Sequence, residues 1–345
     1  MKPSKADIIA VANVAGVSPA TVSRAINHPD LVKPSTRTRI REAIEQTGYI
    51  RNRAAQAIHG KRSGTIGLIL PTVNNAIFAE VMQSFSDAVD AEGFTILIAT
   101  HGFDLTREHN LLRKLMEHRV DGVALIGLDH AESTYRLLDQ HNLPSIAVWN
   151  HATDSRISCI GVDNRRIGAI AAEHLLNLGH RRIGMVFPPT GDNDRARGRL
   201  QGAMQAITDA GATVDPNWNV TSLYSVSHAK AVCMKQLSQH DAPTAILCGN
   251  DVIAHGVLYG LSRQGLRVPE DVSVIGIGDF PGSAEIEPTL STIRLPARTI
   301  GKRAGEQLVR MIADSNETTM VREVLEGIES IRASTGPPNH SRQNA

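Results

Sequence analysis

The chain has 345 residues, 41% of them hydrophobic and 21% charged, with a formal net charge of +1. That balance excludes a disordered polar chain and leaves room for a small unit plus a body of two lobes. Three widely spaced cysteines (Cys159, Cys233, Cys248) exclude a disulfide framework. A polar start with no long uncharged apolar run argues against a signal peptide or a membrane span, so a cytoplasmic protein is expected.

The near-neutral total hides a polarised distribution. Residues 1–62 hold eleven Lys or Arg against four acids, an excess of seven positive charges, which leaves residues 63–345 six charges negative. A basic head on an acidic body attracts phosphate, with the steep salt dependence that counterion release imposes.

Within the head, DIIAVANVAGVSPATVSRAIN (7–27) has the pattern of helix, tight turn and helix. Asp7 is placed to cap the first helix, whose apolar face is Ile8, Val11, Ala12 and Ala15. Gly16 suits the turn, Ser18 caps the second helix, and Pro19 takes its first position. Val22 and Ile26 then turn inward, leaving Pro19, Ala20, Ser23 and Arg24 outward, as a helix entering the DNA major groove requires. A third helix opens at Lys33-Pro34-Ser35, with Ile40, Ala43 and Ile44 as its inner stripe and Tyr49 closing the small core. In RNRAAQAIHGKRS (51–63), Asn52 is placed to cap a helix running to about Gly60 with Ala55 and Ile58 on one edge. Eight or nine residues are too few to hold a helix alone, so this basic linker is expected to order on docking.

From Thr65 onward apolar runs alternate with amphipathic stretches. The runs fall at 65–70, 95–100, 122–128, 145–150, 159–164, 182–187, 245–250 and 273–279. Helical patterns between them include 76–92, 105–117, 165–178 and 251–264. Alternation of this kind means βαβ units and parallel sheets covered on both faces, and so many strands point to two similar lobes. Ligands of such folds lie beyond the carboxyl ends of the strands, here a cleft between lobes. An enzyme is disfavoured: GIGDFP lacks the third glycine of a dinucleotide fingerprint, and no GxxxxGK[ST] loop or GxSxG elbow occurs. Fourteen histidines show no HExxH or HxxxE cluster, so neither metal nor cofactor is expected. A periplasmic binding protein would carry a signal peptide in place of the basic head.

Taken together, these segments resemble the lactose-repressor family of bacterial transcription regulators, and the GIGDF block (276–280) resembles its gluconate-responsive branch. GVSPATVSRAIN resembles the family's DNA-reading helices and RNRAAQAIHGKRS its hinge. RVDGVALIG, LGHRRIGMV, AILCGNDVIAHG, LRVPEDVSVIGIGDF and PTLSTI follow in the family's order. The resemblance implies a helix-turn-helix head (1–50), a hinge (51–63), a two-lobed body (64–335) like a periplasmic sugar-binding protein, and a flexible tail (336–345). It divides the body into an N-lobe of about 64–162 and 293–324 and a C-lobe of about 163–292 and 325–335. It further implies a homodimer on a near-palindromic operator, with a small effector in the cleft altering the paired hinges. The tail lacks apolar heptads, consistent with a dimer and not a tetramer.

Carried onto matching positions, the family roles make Pro19, Ala20 and Arg24 the base-reading face, Arg24 being equipped for a bidentate guanine contact. Ser18, Thr21, Ser23, Asn27 and Tyr49 are placed to position phosphates, and Ile58 to wedge into the minor groove. The family usually has Leu in place of Ile58 and Pro in place of Arg51. For the cleft, Phe78, Asn150, Arg199, Tyr224, Asn250 and Asp279 are the candidate effector contacts, while Asp251 is read as a helix cap. Asn150 and Gly278 stand where many sugar-binding relatives carry Asp. With Arg195, Arg197 and Arg199 close by, that favours a sugar acid such as gluconate over a neutral sugar or a nucleoside.

Overall fold

In a computed structural model the described residues are 7–50, 62–314 and 319–339, so the sequence expectations for Asn52, Ala55 and Ile58 lie outside them. The chain divides into two compact units, Met1–Ser63 and Gly64–Ala345.

The first unit holds α1 (Ile8–Ala15), α2 (Pro19–Asn27) and α3 (Pro34–Thr47). Asp7 caps α1 by accepting from the Ala10 N–H, and Gly16 ends it at φ +63°, a left-handed conformation that costs glycine little. Ser18 then caps α2 through the Thr21 N–H, with Pro19 in the first turn. The two helices meet at 101°, within the range of a helix-turn-helix. Val11, Ala12, Ala15, Val22, Ile40 and Ala43 form the core, with Ile8, Ile26, Ile44 and Tyr49 packed against it.

The second unit is two doubly wound lobes. Its helices are α4 (Ala76–Asp90), α5 (Leu105–Glu117), α6 (Glu132–His141), α7 (Asn164–Asn177), α8 (Asp194–Asp209), α9 (Val226–Leu237), α10 (Asp251–Arg263) and α11 (Ala297–Ala313). The N-lobe strands are β1 (Thr65–Leu70), β2 (Thr95–Thr100), β3 (Gly122–Ile126), β4 (Ser145–Asn150), β5 (Ser158–Val162) and β11 (Arg322–Val324), ordered β11-β5-β4-β3-β1-β2. The C-lobe strands are β6 (Arg182–Phe187), β7 (Thr213–Thr221), β8 (Ala245–Cys248), β9 (Ser273–Gly278), β10 (Ser291–Arg294) and β12 (Ile328–Ser330), ordered β12-β10-β9-β8-β6-β7. Every pairing is parallel except β10 with β12. Helix pairs α4–α11 and α7–α8 cover one face of each sheet, and α5–α6 and α9–α10 the other, which is why the strands read as continuous apolar runs.

Three expectations are corrected. Strand β10 joins the C-lobe sheet, so that crossing falls after Arg294 and not before residue 293. Residues 336–339 are packed and not a free tail: the Gly336 carbonyl accepts from Ser273 Oγ and bonds His180 Nε2, and Pro338 is buried. Asn250 lies beyond β8, which ends at Cys248, and caps α10 through the Ile253 N–H. Strand β7 escaped the sequence reading because TVDPNWNVT has no apolar run. It is an edge strand with a register shift against β6.

Candidate functional site

The head presents an outward helix face. Pro19, Ala20 and Arg24 are exposed, and Val22 beneath them is fully buried. Arg24 makes no ion pair among the described residues, so its fork of donors faces solvent. Ser18 Oγ also lies 2.9 Å from Thr21 Oγ1. Asn27 Nδ2 donates to the Ser23 carbonyl at 2.7 Å and lies 3.2 Å from Ser23 Oγ, so these two candidate phosphate contacts hold each other in place. Tyr49 packs half-buried against the head core.

In the body, the order β2-β1-β3 in one sheet and β7-β6-β8 in the other puts a topological switch point in each lobe. The end of β4 and the segments leaving the carboxyl ends of β1, β6, β7, β8, β9 and β10 meet there, where such folds bind ligands. They enclose a small cavity lined by Asn75, Ile77, Phe78, Trp149, Arg195, Arg199, Tyr224, Asn250, Phe280 and Leu295. Its volume is about 20 Å³, room for little more than a water, so the cleft is closed.

Four of the six sequence-predicted contacts line it: Phe78, Arg199, Tyr224 and Asn250. Phe78 sets its edge against Trp149, with ring centroids 5.8 Å apart. Tyr224 stacks on Phe103 of the other lobe at 6.1 Å, and its hydroxyl accepts from Asn193 Nδ2. Asn250 uses its oxygen as the α10 cap, while its Nδ2 is buried without a partner among the described residues. Arg199 is buried with no carboxylate bonded to it: Nε donates to Asn164 Oδ1 at 2.8 Å and Nη1 to the Gly249 carbonyl at 3.2 Å. Burial brings its pKa down to about 10.

Asn150 stands one step behind. Its Oδ1 accepts from Asn164 and its Nδ2 donates to Asp194, which links Arg199 to Asp194 through two amides. Asp279 does not line the cavity. Its carboxylate is held by Arg294 Nε at 2.6 Å and Arg332 Nη2 at 2.7 Å, which corrects its reading as an effector contact. Asp251 is not the helix cap expected from sequence, a role that falls to Asn250; its carboxylate takes hydrogen bonds from Thr292 Oγ1, the Phe280 N–H and Ser283 Oγ, pinning β10 and the β9 loop to α10. Burial raises its pKa despite those donors.

Arg195 and Arg197, expected to make the cleft favourable to an anion, already have carboxylate partners. Arg195 Nη1 pairs with Asp194 and donates to the Ile126 carbonyl, and Arg197 Nη2 grips both oxygens of Asp129 at 2.7 and 2.6 Å. Trp149, Phe280 and Asn75 went unseen in sequence. Trp149 and Phe280 lie next to strand-end positions, the one signal available for finding them, while Asn75 caps α4.

Residues 8–52 match the model of bacterial regulatory proteins of the lacI family, and residues 172–335 that of a periplasmic binding protein-like domain. A transcriptional repressor named PurR from Aliivibrio salmonicida is 33% identical over 317 residues, covering 91% of this chain and 94% of the relative. The chain belongs to the lacI family of bacterial regulatory proteins. A regulator named GntR from Pseudomonas aeruginosa is 31% identical, with 88% of each chain covered. Among solved structures, the regulator GntR of Chromobacterium violaceum superposes with a TM-score of 0.73 at 30% identity, covering 79% of this chain and 99% of that one. The lac repressor dimer bound to operator matches in fold, with a TM-score of 0.85 at 24% identity over 96% of this chain and all of that one. As a lacI-family member the chain is a DNA-binding transcription regulator, with the head reading DNA and the body holding the ligand cleft. Among the described residues no single helix is long and apolar enough to cross a membrane.

Proposed function

We propose that this protein is a cytoplasmic, homodimeric repressor that reads a near-palindromic operator and answers to a sugar acid of the gluconate type. It is not an enzyme on this reading; its relatives are regulators. The observation that carries the effector class is Arg199. A guanidinium buried without a carboxylate is costly, and an anionic ligand beside it offsets that cost. The unpartnered Asn250 Nδ2 adds a second donor, and Phe78 and Tyr224 offer ring faces for a sugar. Dimerisation is supported by β2, an edge strand on which Leu97 and Ile98 are exposed, since such edges call for a cover.

The effector acts as a population shift. It favours one lobe arrangement, and a coupling of about 1–3 kcal/mol changes operator affinity about 5–150-fold. Isothermal titration calorimetry of the full chain against gluconate, related sugar acids, neutral sugars and nucleosides tests the proposal at fixed salt. Binding is expected among the acids. A neutral sugar or nucleoside bound tightly while the acids are ignored overturns it.

A further inference from the structure

The interlobe contact centred on Asp194 has the form of a filled ligand site. Asp194 opens α8 in the C-lobe, yet its carboxylate lies among donors of the N-lobe. Its Oδ2 accepts from the Leu128 N–H at 2.6 Å, the Asp129 N–H at 3.3 Å and the Asn150 amide. Its Oδ1 takes the Arg195 N–H at 2.8 Å and Arg195 Nη1 at 2.9 Å. Gly127, in the loop after β3, makes the approach possible. A Cβ there would run into the Arg195 guanidinium and the Asp194 carboxylate. Arg197 and Asp129 pair beside it, again across the cleft. Both Asp194 and Arg195 are nine-tenths buried as side chains, at 9% and 7% exposure.

We propose that the Leu128 N–H, the Asp129 N–H and the Asn150 amide form a carboxylate-binding subsite, which Asp194 fills in the closed cleft and which an acidic ligand takes by exchange. Two consecutive backbone N–H groups make an anion-binding concavity, and hydrogen bonds to a charged acceptor are the strong ones. The three donors belong to the N-lobe wherever Asp194 goes, so lobe separation leaves them facing the cleft without an acceptor. Asn150 explains its own departure from the family's Asp here. An aspartate would set two carboxylates against each other, whereas the amide donates to Asp194 and accepts from Asn164. Through that amide the subsite is two hydrogen-bonded steps from Arg199. The subsite deepens the sugar-acid reading and rests on it only for the identity of the natural ligand.

The test uses the full chain carrying Asp194→Ala, with formate as the probe and formamide as its uncharged counterpart, read by calorimetry. Formate is expected to bind the variant saturably and at least about tenfold more tightly than the native protein, where Asp194 competes. Formamide is expected not to bind, and adding Asn150→Ala to weaken formate again. Formate binding the two proteins equally, or neither, overturns the subsite. If formate binds the variant while gluconate is ignored by both, the subsite stands and the sugar-acid reading falls. Should Asp194→Ala fail to fold, the near-isosteric Asp194→Asn is read by hydrogen exchange. Amides of Leu128 and Asp129 exchanging about tenfold faster support the proposal, and unchanged protection overturns it.

Discussion

Replacing Arg199 by methionine separates what this residue does for the fold from what it does for the ligand. Burial brings its pKa down from the usual guanidinium value to about 10, equivalent to roughly 3 kcal/mol against the charged form. Because the folded value is the lower one, the cost is present at neutral pH and relieved only as pH rises above about 10. Methionine removes it and fills most of the volume. Against that, Asn164 Oδ1 and the Gly249 carbonyl lose a donor, at about 1–1.5 kcal/mol each where the adjoining cavity admits a water. The two effects nearly cancel. Urea denaturation at pH 7.5 is therefore expected to place Arg199→Met within about 1 kcal/mol of the native protein. Gluconate affinity is expected to fall about 30-fold or more, since truncating one partner of a buried charge pair costs 2 kcal/mol and upward. A variant destabilised by more than about 3 kcal/mol that still binds gluconate normally would refute the reasoning.

Other perturbations reach other parts of the molecule. Arg24→Ala is expected to cost about 1–3 kcal/mol on operator DNA and to relax preference at one base pair, with little change on random DNA. Equal losses on both in mobility-shift titrations would contradict a base-reading role. Gly202 lies where α8 crosses α7 at backbone distance, and a Cβ there would run into the Arg165 carbonyl. Gly202→Ala is thus expected to lower the thermal midpoint by several degrees and to weaken ligand binding, because Asn164 and Arg199 ride on the two helices it forces apart. Burial lowers the pKa values of His101, His174, His180 and His255. Their contribution to stability is full above the unfolded value of about 6.5 and lost as pH falls through the folded ones. Denaturation midpoints are expected to drop between pH 6.5 and 5 and to stay level above pH 7.

Much of the head was legible because its signals are local. Asp7, Gly16, Ser18 and Pro19 each act within one turn of their own position, and caps found by spacing are the caps observed. Buried parallel strands were equally plain as apolar runs. Strand β7, held by pairing and by the buried Trp218, was not. In the cleft, Asn250 could be placed because an apolar run ends at it, Phe78 and Tyr224 as scarce aromatics near loop edges, and Arg199 through the family resemblance. Asp279 was misjudged, since Arg294 and Arg332 reach it from residues 15 and 53 positions away in sequence. Arg197 was misread for the same reason: its neutralising partner, Asp129, is a contact across the lobes that no periodicity encodes, whereas Arg195 pairs with Asp194 beside it in sequence.

The thread of the chain also sets an order of events during synthesis. Neither lobe is continuous: the N-lobe sheet ends with β11 at 322–324 and the C-lobe sheet with β12 at 328–330. Helix α11, which brings Ile300, Leu308 and Ile312 to the face of β3, β4 and β5, is made about 150 residues after β5. At bacterial elongation rates that face stays bare for roughly 8–30 s. The head, complete by residue 50, emerges first and folds on its own local contacts. A nascent chain therefore carries a folded helix-turn-helix unit for many seconds before it has a body able to sense anything. Through that interval its greasy half-built sheets make it a natural client for chaperones.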